Sequence, residues 1–134
     1  MAQTAVAEFP SLAWFDLYAK AVESDPEMQY VGKYFDADFL LDFGGREFLV
    51  AVRGGRIRNV AESPTPMDPW QFALRWPLEA WQKFAQPVPP PMYNDVFAGM
   101  FEGGLVFHGD TTILMQNIKA LFRMLDVMRE VKAQ

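Results

Sequence analysis

Residues 35–60, FDADFLLDFGGREFLVAVRGGRIRNV, consist of three segments separated by two Gly-Gly pairs. In the first segment, apolar side chains occupy every odd position from Phe35 to Phe43, which is typical of a half-buried strand. Gly44-Gly45 and Gly54-Gly55 are two-residue connections that tolerate positive φ, and both predict tight β-hairpins. The predicted strands of this antiparallel meander are 35–43, 47–53 and 56–60.

The two-residue loops also predict which side chains lie opposite each other. The predicted pairs are Leu41 with Phe48, Phe39 with Val50, Asp36 with Arg53, and Val52 with Ile57. Apolar side chains then share one face across three strands, as in a sheet that packs one face against a core.

On the opposite face, Leu40 is predicted to lie opposite Leu49, and Leu49 opposite Val60. We call these three residues the aliphatic stripe. It lies on the side that also carries Asp36, Asp38 and Arg53, and either the N-terminal helix or a second copy of the chain would cover it. In a homodimer, the acidic Asp36 and Asp38 would pair with Arg56 and Arg58 across a two-fold axis.

Capping residues and apolar spacing predict the other elements. The first half has a helix capped by Ser11 with Leu12, Phe15, Ala19 and Val22 on one face, and a second helix that begins at Asp25-Pro26. After the meander come a strand at 72–76, a helix with Pro77 as its first residue, which carries Leu78, Trp81 and Phe84, and a helix from Asn94 or Asp95 to Gly103-Gly104. The last elements are a strand at 105–108 and a long helix capped by Asp110, with Leu114, Ile118, Leu121, Leu125 and Met128 on one face.

This order of elements predicts an α+β fold: a five-stranded, mainly antiparallel sheet with helices packed on one face. The 134 residues, 51% of them apolar, are enough to bury a sizeable core in one domain. We therefore expect a single domain over residues 1–134.

Composition excludes several classes of site and partner. The sequence has no Cys and one His, which excludes disulfides, thiolate metal sites, a Cys nucleophile and a site with several His ligands. A net charge of −5 argues against nucleic acid as a partner. No apolar run approaches the ~18 residues that span a bilayer, and the first residues do not resemble a signal peptide, so we expect a cytoplasmic protein.

The meander between Phe39 and Val60 and a later run together resemble the sterol carrier protein type-2-like lipid-binding domains. The later run is Phe97, Gly103, Gly104, Leu105, Val106, Phe107, His108, Gly109 and Asp110, which leads into the final helix. The resemblance covers roughly residues 30–130. It implies a sheet covered by helices, with an apolar tunnel between them for sterols, fatty acids or acyl-CoA-like molecules, and it supplies no catalytic residues.

The polar residues do not form a convincing catalytic set. By strand parity, His108 lies on the face opposite Phe107, and a triad with Ser11, Ser24 or Ser63 would lack a nucleophile elbow. The three carboxylates of Asp36, Asp38 and Asp42 share the polar face of one strand, where solvation is a simpler interpretation than metal binding.

Two other functions stay open. A cofactor-free isomerase acting on a steroid-like substrate would need a buried Asp and Tyr in an apolar cavity. The candidates for these groups are Tyr18, Tyr30, Tyr34 and Tyr93 with Asp38 or Asp110. The long final helix argues against that fold, whose elements end in strands. A structural interaction subunit is the other alternative.

We therefore predict a non-catalytic intracellular carrier for an apolar ligand, without a metal or cofactor. The ligand would lie between the sheet and the helices, where the many aromatic and Met side chains provide an apolar, adaptable lining. The predicted lining residues are Phe39, Leu41, Val50, Phe72, Leu74, Trp76, Trp81, Phe84, Phe97, Met100, Phe101, Phe107, Leu114, Met115 and Ile118.

Overall fold

The computed structural model of the chain describes residues 9–86, 88–91, 93, 99 and 104–131. The helix predicted from Asn94 or Asp95 to Gly103-Gly104 lies outside the described residues, apart from Gly99 and Gly104. The same is true of three predicted lining residues, Phe97, Met100 and Phe101.

The described elements follow the predicted order. The helices are α1 (Leu12–Ser24), α2 (Pro26–Val31), α3 (Leu78–Phe84), α4 (Thr111–Gln116) and α5 (Ile118–Asp126), followed by a 3₁₀ turn at Val127–Glu130. The strands are β1 (Ala37–Phe43), β2 (Glu47–Arg53), β3 (Arg56–Glu62), β4 (Phe72–Trp76) and β5 (Val106–Gly109). No helix of the described residues is long and apolar enough to cross a membrane.

The five strands form one sheet in the order β3-β2-β1-β4-β5. Neighbouring strands are antiparallel except β1 and β4, which are parallel. This confirms the predicted α+β class and the mainly antiparallel sheet. The parallel pair arises because the chain crosses from the end of β3 to the start of β4, and this places β1 at the centre.

The first hairpin has the predicted register, with Leu41 opposite Phe48 and Phe39 opposite Val50. In the second hairpin Val52 lies opposite Ile57 as predicted, but the register shifts between Ala51 and Val52. The predicted pair of Leu49 with Val60 is therefore wrong. Leu49 lies opposite Ala61, because a β-bulge adds one residue to one strand of a pair.

Helix α1 begins at its predicted cap, where the Ser11 side chain accepts a hydrogen bond from the Trp14 amide (3.1 Å). Its buried face differs from the predicted one. Leu12 is 45% exposed, whereas Trp14 and Tyr18 are buried with Phe15 and Val22. The aromatic side chains of Trp14 and Tyr18 cover more of the sheet than the shorter side chain of Leu12 would.

Two further helix boundaries differ from the predictions. Pro77 is the residue before α3 rather than its first helical residue. The long final helix is broken at Asn117, whose backbone (φ −120°, ψ 23°) is not helical. The Asn117 side chain donates a hydrogen bond to the Ile113 carbonyl (3.0 Å), and Asn side chains often compete in this way with helical hydrogen bonds.

The two faces of the sheet have different surroundings. The core face carries Phe39 and Leu41, and α1 packs on it, with the Phe15 ring centroid 4.8 Å from that of Phe48. The outer face carries Leu40, which is 1% exposed.

The shift after Ala51 places Val60 opposite Val50 on the core face, where it packs against the core, so the aliphatic stripe does not extend across three strands. Leu40 is buried and Leu49 half-buried within one chain, so these two residues give no argument for a homodimer.

The predicted pairing of Asp36 and Asp38 with Arg56 and Arg58 of a second copy has no support either. The Asp38 carboxylate pairs with Arg53 of the same chain (2.9 Å). The Asp36 carboxylate accepts a hydrogen bond from the Gly54 amide (2.7 Å). Both acids are thus engaged within one chain.

Candidate functional site

An apolar surface with two groups of aromatic rings, which we call the aromatic wall, lies on the core face and extends onto α3. The Phe39 and Phe72 rings stack with centroids 5.1 Å apart, and the Phe72 and Phe107 centroids are 5.7 Å apart. Trp76 and Trp81 meet edge to face at 5.3 Å. The apolar positions of β1, β4, β5 and α3 therefore combine into one surface, as their alternation and helical spacing predict.

The predicted lining residues that the structure describes fall into three groups by burial. Most are fully buried: Phe39, Leu41, Val50, Phe72, Leu74, Trp76, Trp81, Phe84 and Leu114. Phe107 and Ile118 are partly buried against the same core. Met115, on the short helix α4, is 53% exposed, so the structure does not bring it together with the buried members of the predicted lining.

Several apolar side chains of the last elements keep part of their surface exposed. Phe107 in β5, Ile113 in α4, and Ile118 and Phe122 in α5 all pack on the core without being fully buried. Phe107 belongs to the core face, because it lies opposite Leu74. We call these four residues the half-buried group.

Two hydrogen bonds hold α3 at this surface. The Trp81 indole nitrogen donates to the Asp42 carbonyl in β1 (2.8 Å). At the other end of α3, Nε of Arg129 donates to the Phe84 carbonyl (2.8 Å), and the Arg129 guanidinium lies 4.4 Å from the centroid of the Phe84 ring. These contacts fix α3 between the sheet and the C-terminal 3₁₀ turn.

Three residues of this surface were not among the predicted lining residues. Ile113 and Phe122 are neighbours of predicted positions, and a wider apolar stripe on the last helices would have included them. Tyr93 stacks on Trp76 with centroids 5.6 Å apart. No periodic signal marks Tyr93, because it follows the Pro-rich connector.

A charged network occupies the outer face. Arg75 pairs with Asp42 and Glu47, both at 2.8 Å, and its Nε donates to His108 Nδ1 (3.1 Å). Hydrogen bonds to Glu47 and to Asp42 raise the pKa of Arg75, although partial burial opposes the shift. His108 is exposed and lies on the face opposite Phe107, as predicted.

Two of the three candidate catalytic serines, and the Asp42 carboxylate considered for metal binding, have structural partners. The Ser24 hydroxyl donates to the Lys20 carbonyl (2.9 Å), and Ser11 caps α1. Asp42 accepts a hydrogen bond from the Gly45 amide (2.6 Å) in addition to its pairing with Arg75. Among the described residues there is no group of three or more His, Cys, Asp or Glu that could hold a metal ion.

The isomerase alternative needs a buried Tyr and Asp that face one cavity. Tyr30 and Tyr34 are 83% and 84% exposed. Tyr18 is buried, but its hydroxyl donates to the Met124 carbonyl. Asp110 caps α4 by accepting from the Thr112 amide (2.9 Å), so these groups do not form the arrangement that the isomerase would need.

One carboxylate, that of Asp25, is buried among the described residues. Asp25 accepts from Nη2 (2.6 Å) and Nε (2.9 Å) of Arg123 and from the Met28 amide (2.9 Å). The Arg123 hydrogen bonds lower the pKa of this carboxyl, the Met28 amide adds to the shift, and burial opposes it. The pair ties the start of α2 to α5.

The sequence matches no protein-family model and no curated protein. The structure, however, is similar to a crystal structure of sterol carrier protein 2, with a TM-score of 0.71 at 16% identity over 89% of this chain and 95% of that one. The chain therefore has the sterol carrier protein 2 fold.

Two further structures share the sterol carrier protein 2 fold with this chain. One is a conserved hypothetical protein from Thermus thermophilus, described as possibly a sterol carrier protein, with a TM-score of 0.73 at 14% identity over 95% of this chain and 92% of that one. The other is the UbiJ-SCP2 ubiquinone synthesis protein, with a TM-score of 0.60 at 11% identity over 91% and 95%. The fold accounts for nearly the whole chain, and the identities are too low to transfer individual residues.

Proposed function

We propose that the protein is a non-catalytic intracellular carrier for an apolar ligand of the fatty acid, acyl-CoA or sterol-like class. The ligand lies between the core face of the sheet and the helices. The aromatic wall, which is buried except at Phe107, forms the floor of this site, and the half-buried group, to which Phe107 belongs, forms its more accessible part. Phe97, Met100 and Phe101 complete the proposed lining.

The half-buried group carries this proposal. Partly buried apolar side chains occur at the edge of many cores, and others pack on this one as well. Here four of them, in the consecutive elements β5, α4 and α5, keep exposed surface. An apolar ligand that covered this exposed surface would gain the hydrophobic free energy of its burial, which the folded chain does not gain on its own.

The names of the structural neighbours support the ligand class. The descriptions of two of them refer to a sterol carrier protein, and that of the third refers to ubiquinone synthesis. The engagement of His108, Asp38 and Asp110 in structural contacts favours a carrier over an isomerase.

The expected affinity is modest. Burying a dodecyl-sized chain gains about 10 kcal/mol at ~0.8 kcal/mol per CH₂. Association costs of about 4–15 kcal/mol oppose this gain. Weak to micromolar dissociation constants are therefore expected, and they suit a carrier that has to release its ligand.

Tryptophan fluorescence tests the proposal. Trp76 and Trp81 lie in the aromatic wall, and Trp70 is the one Trp with substantial exposure, at 36%, so a Trp70→Phe background isolates the buried reporters. Titration with a fatty acid, an acyl-CoA and a sterol should change their emission and raise Tm for at least one ligand. Unchanged emission and Tm in protein known to be empty would overturn the proposal.

Two neighbouring positions on α5 provide a matched comparison. Ile118 belongs to the half-buried group, whereas Lys119 is exposed. Ile118→Asn should weaken binding of an uncharged ligand roughly ten-fold, because it puts an amide against the apolar chain, and Lys119→Asn should leave the affinity unchanged. Ligand turnover that disappears in His108→Ala protein would favour an enzyme instead.

A further inference from the structure

Strand β3 forms one edge of the sheet. It pairs with β2 on one side, and among the described residues no backbone hydrogen bond of residues 57–61 reaches a segment other than β2. In an antiparallel pair, half of the amides and carbonyls of each strand face away from the partner strand. The outer edge of β3 therefore presents the donors and acceptors that another extended chain recognises.

A cleft of about 340 Å³ runs between this edge and helix α1. On the helix side it is lined by Leu12, Phe15 and Ala19, which are three and four residues apart and therefore share one face of α1. Leu12 is 45% exposed, although its spacing predicted a buried position. The helix thus offers an apolar wall about 10 Å long that the chain itself leaves partly uncovered.

The strand side of the cleft is apolar because of the bulge in β3. Ile57 lies opposite the buried Val52. Val60 lies opposite the buried Val50, so it shares the core face with Ile57 although the two are three residues apart. Regular alternation would put them on opposite faces, and the extra residue, Arg58, brings them to the same one. Both side chains are half-buried and line the cleft.

Two opposite charges line the cleft without pairing. Asp16 lies on the α1 side and Arg58 on the β3 side, and both are exposed. No ion pair joins them, and neither pairs with another charge in the described part of the chain. A strand that lay between them would bring an acidic side chain beside Arg58, whereas Asp16 would repel an acid on the helix side.

We propose that the cleft binds an extended peptide segment of a partner protein, which adds to β3 as a further strand. The backbone of the peptide pairs with the outer edge of β3, and its apolar side chains enter the cleft between α1 and β3. An acidic side chain of the peptide pairs with Arg58. Backbone pairing provides affinity, and the apolar cleft and its two charges provide specificity.

The bulge argues against a second copy of the chain as the occupant. Edge-to-edge pairing of two sheets needs a long, regular edge, and bulges and charged side chains are the features that prevent it. Strand β3 has both at Arg58, so its regular part is limited to residues 59–62. A short, flexible peptide can pair with these residues alone, whereas the rigid edge of a second sheet cannot.

This inference goes beyond the proposed carrier function. The cleft lies at the β3 edge, whereas Phe107 of the half-buried group lies in β5, the strand at the opposite edge of the sheet. A partner can therefore engage the protein while an apolar ligand is bound. Peptide binding is measured without an apolar ligand, and ligand titration is measured without peptide, so the two proposals fail separately.

Amide chemical shifts of isotope-labelled protein test the proposal. The probe is a pool of short synthetic peptides with Val, Ile or Leu at alternate positions and Glu, Thr or Ser between them. The pool should shift the amide signals of Asn59, Val60 and Ala61 and leave those of Phe107 and His108, at the opposite edge, unchanged. The same pool with N-methylated backbone amides should not bind, because its amides cannot donate to β3.

Variants then locate the contact. Ala19→Trp fills the cleft and should weaken peptide binding roughly ten-fold. Ala13→Trp is the matched control, because Ala13 is exposed on the same helix and does not line the cleft. Arg58→Glu should weaken binding of the Glu-containing peptides roughly five-fold and strengthen binding of a pool with Lys in place of Glu. Because Arg58 is exposed, this variant should fold even if Ala19→Trp does not.

Four results would overturn the proposal. The first is that the pool at millimolar concentration leaves the amide signals of β3 unchanged in folded protein. The second is binding that survives N-methylation of the peptides. The third is equal weakening by Ala19→Trp and Ala13→Trp. The fourth is sedimentation that shows a dimer which Arg58→Glu converts to a monomer, since the β3 edge would then be an interface between two copies.

Discussion

At the scale of single residues, a buried hydroxyl joins α1 to α5. The Tyr18 hydroxyl donates to the Met124 carbonyl, and its side chain is 1% exposed. Burial, and secondarily the negative charge of Asp126, raise the pKa of Tyr18 well above its usual value. The hydroxyl therefore stays protonated and keeps its donor role at any physiological pH.

Removing this hydroxyl should cost stability. Tyr18→Phe leaves the Met124 carbonyl without its side-chain donor in a buried position, which typically costs about 1–3 kcal/mol. We expect Tm to fall by roughly 3–10 °C in calorimetry. Tyr30→Phe is the control, since Tyr30 is exposed, and an equal loss in both variants would contradict this interpretation.

The Asp25–Arg123 pair should make stability depend on acid pH. Because pairing lowers the pKa of Asp25 in the folded protein, its stabilisation is complete above the unfolded pKa of about 3.9 and is lost as pH falls through the lower folded value. Urea unfolding across this range measures the effect.

Asp25→Asn isolates the charge, because Asn is also a good helix cap. We expect a loss of about 2–3 kcal/mol at neutral pH and a difference from the wild type that shrinks below about pH 4. Asp16→Asn, on the exposed side of α1, should change little. A difference that is the same at pH 3 and pH 7 would contradict the role of the charge.

At the scale of elements, the contact between the α2 turn and the β2–β3 turn depends on glycine. Gly55 has φ +75°, and a Cβ there would lie 2.5 Å from the Gly32 carbonyl oxygen. Gly45 in the other hairpin has φ +101° and nothing within 4 Å of a Cβ. A comparison of Ala substitutions at the two turns therefore separates the cost of backbone strain, which both positions share, from the cost of a steric clash, which only Gly55 has.

Gly55→Ala should therefore destabilise more than Gly45→Ala. Backbone strain alone costs about 1–3 kcal/mol at such positions, and Gly55→Ala adds the clash with Gly32. Chemical denaturation of both variants measures the difference. Equal losses would mean that the two turns are not locked together.

The sequence predicted the meander well, because period-2 alternation and Gly pairs are local signals. It did not predict the bulge after Ala51 or the break at Asn117. A bulge is stabilised by contacts across the sheet, and Asn117 competes for the Ile113 carbonyl within a pattern that is otherwise helical. Both depend on interactions that apolar periodicity does not record.

For the candidate site, the sequence likewise predicted the features that depend on local apolar patterns. Positions such as Leu74 and Trp81 were identified as apolar and inward-facing, and both are buried. The distinction between a filled core and a lining surface depends on how completely neighbours cover a side chain. Phe107 and Phe122 stay partly exposed because residues distant in the sequence do not cover them completely. A local apolar pattern cannot predict such coverage.

At the scale of the whole molecule, the two sheet faces have separate roles. The core face joins the aromatic wall to the half-buried group, and the outer face carries the ion pairs of Arg75 and Arg53. This arrangement suits the proposed carrier, which would hold an apolar ligand on one side of the sheet.

The most direct test of the carrier proposal is native mass spectrometry of the protein purified from its own host. We expect the folded chain to carry an apolar molecule that organic extraction releases, with higher occupancy in Lys119→Asn than in Ile118→Asn protein. A folded protein whose mass stays that of the bare chain, even after incubation with an apolar extract of the host cells, would contradict the account.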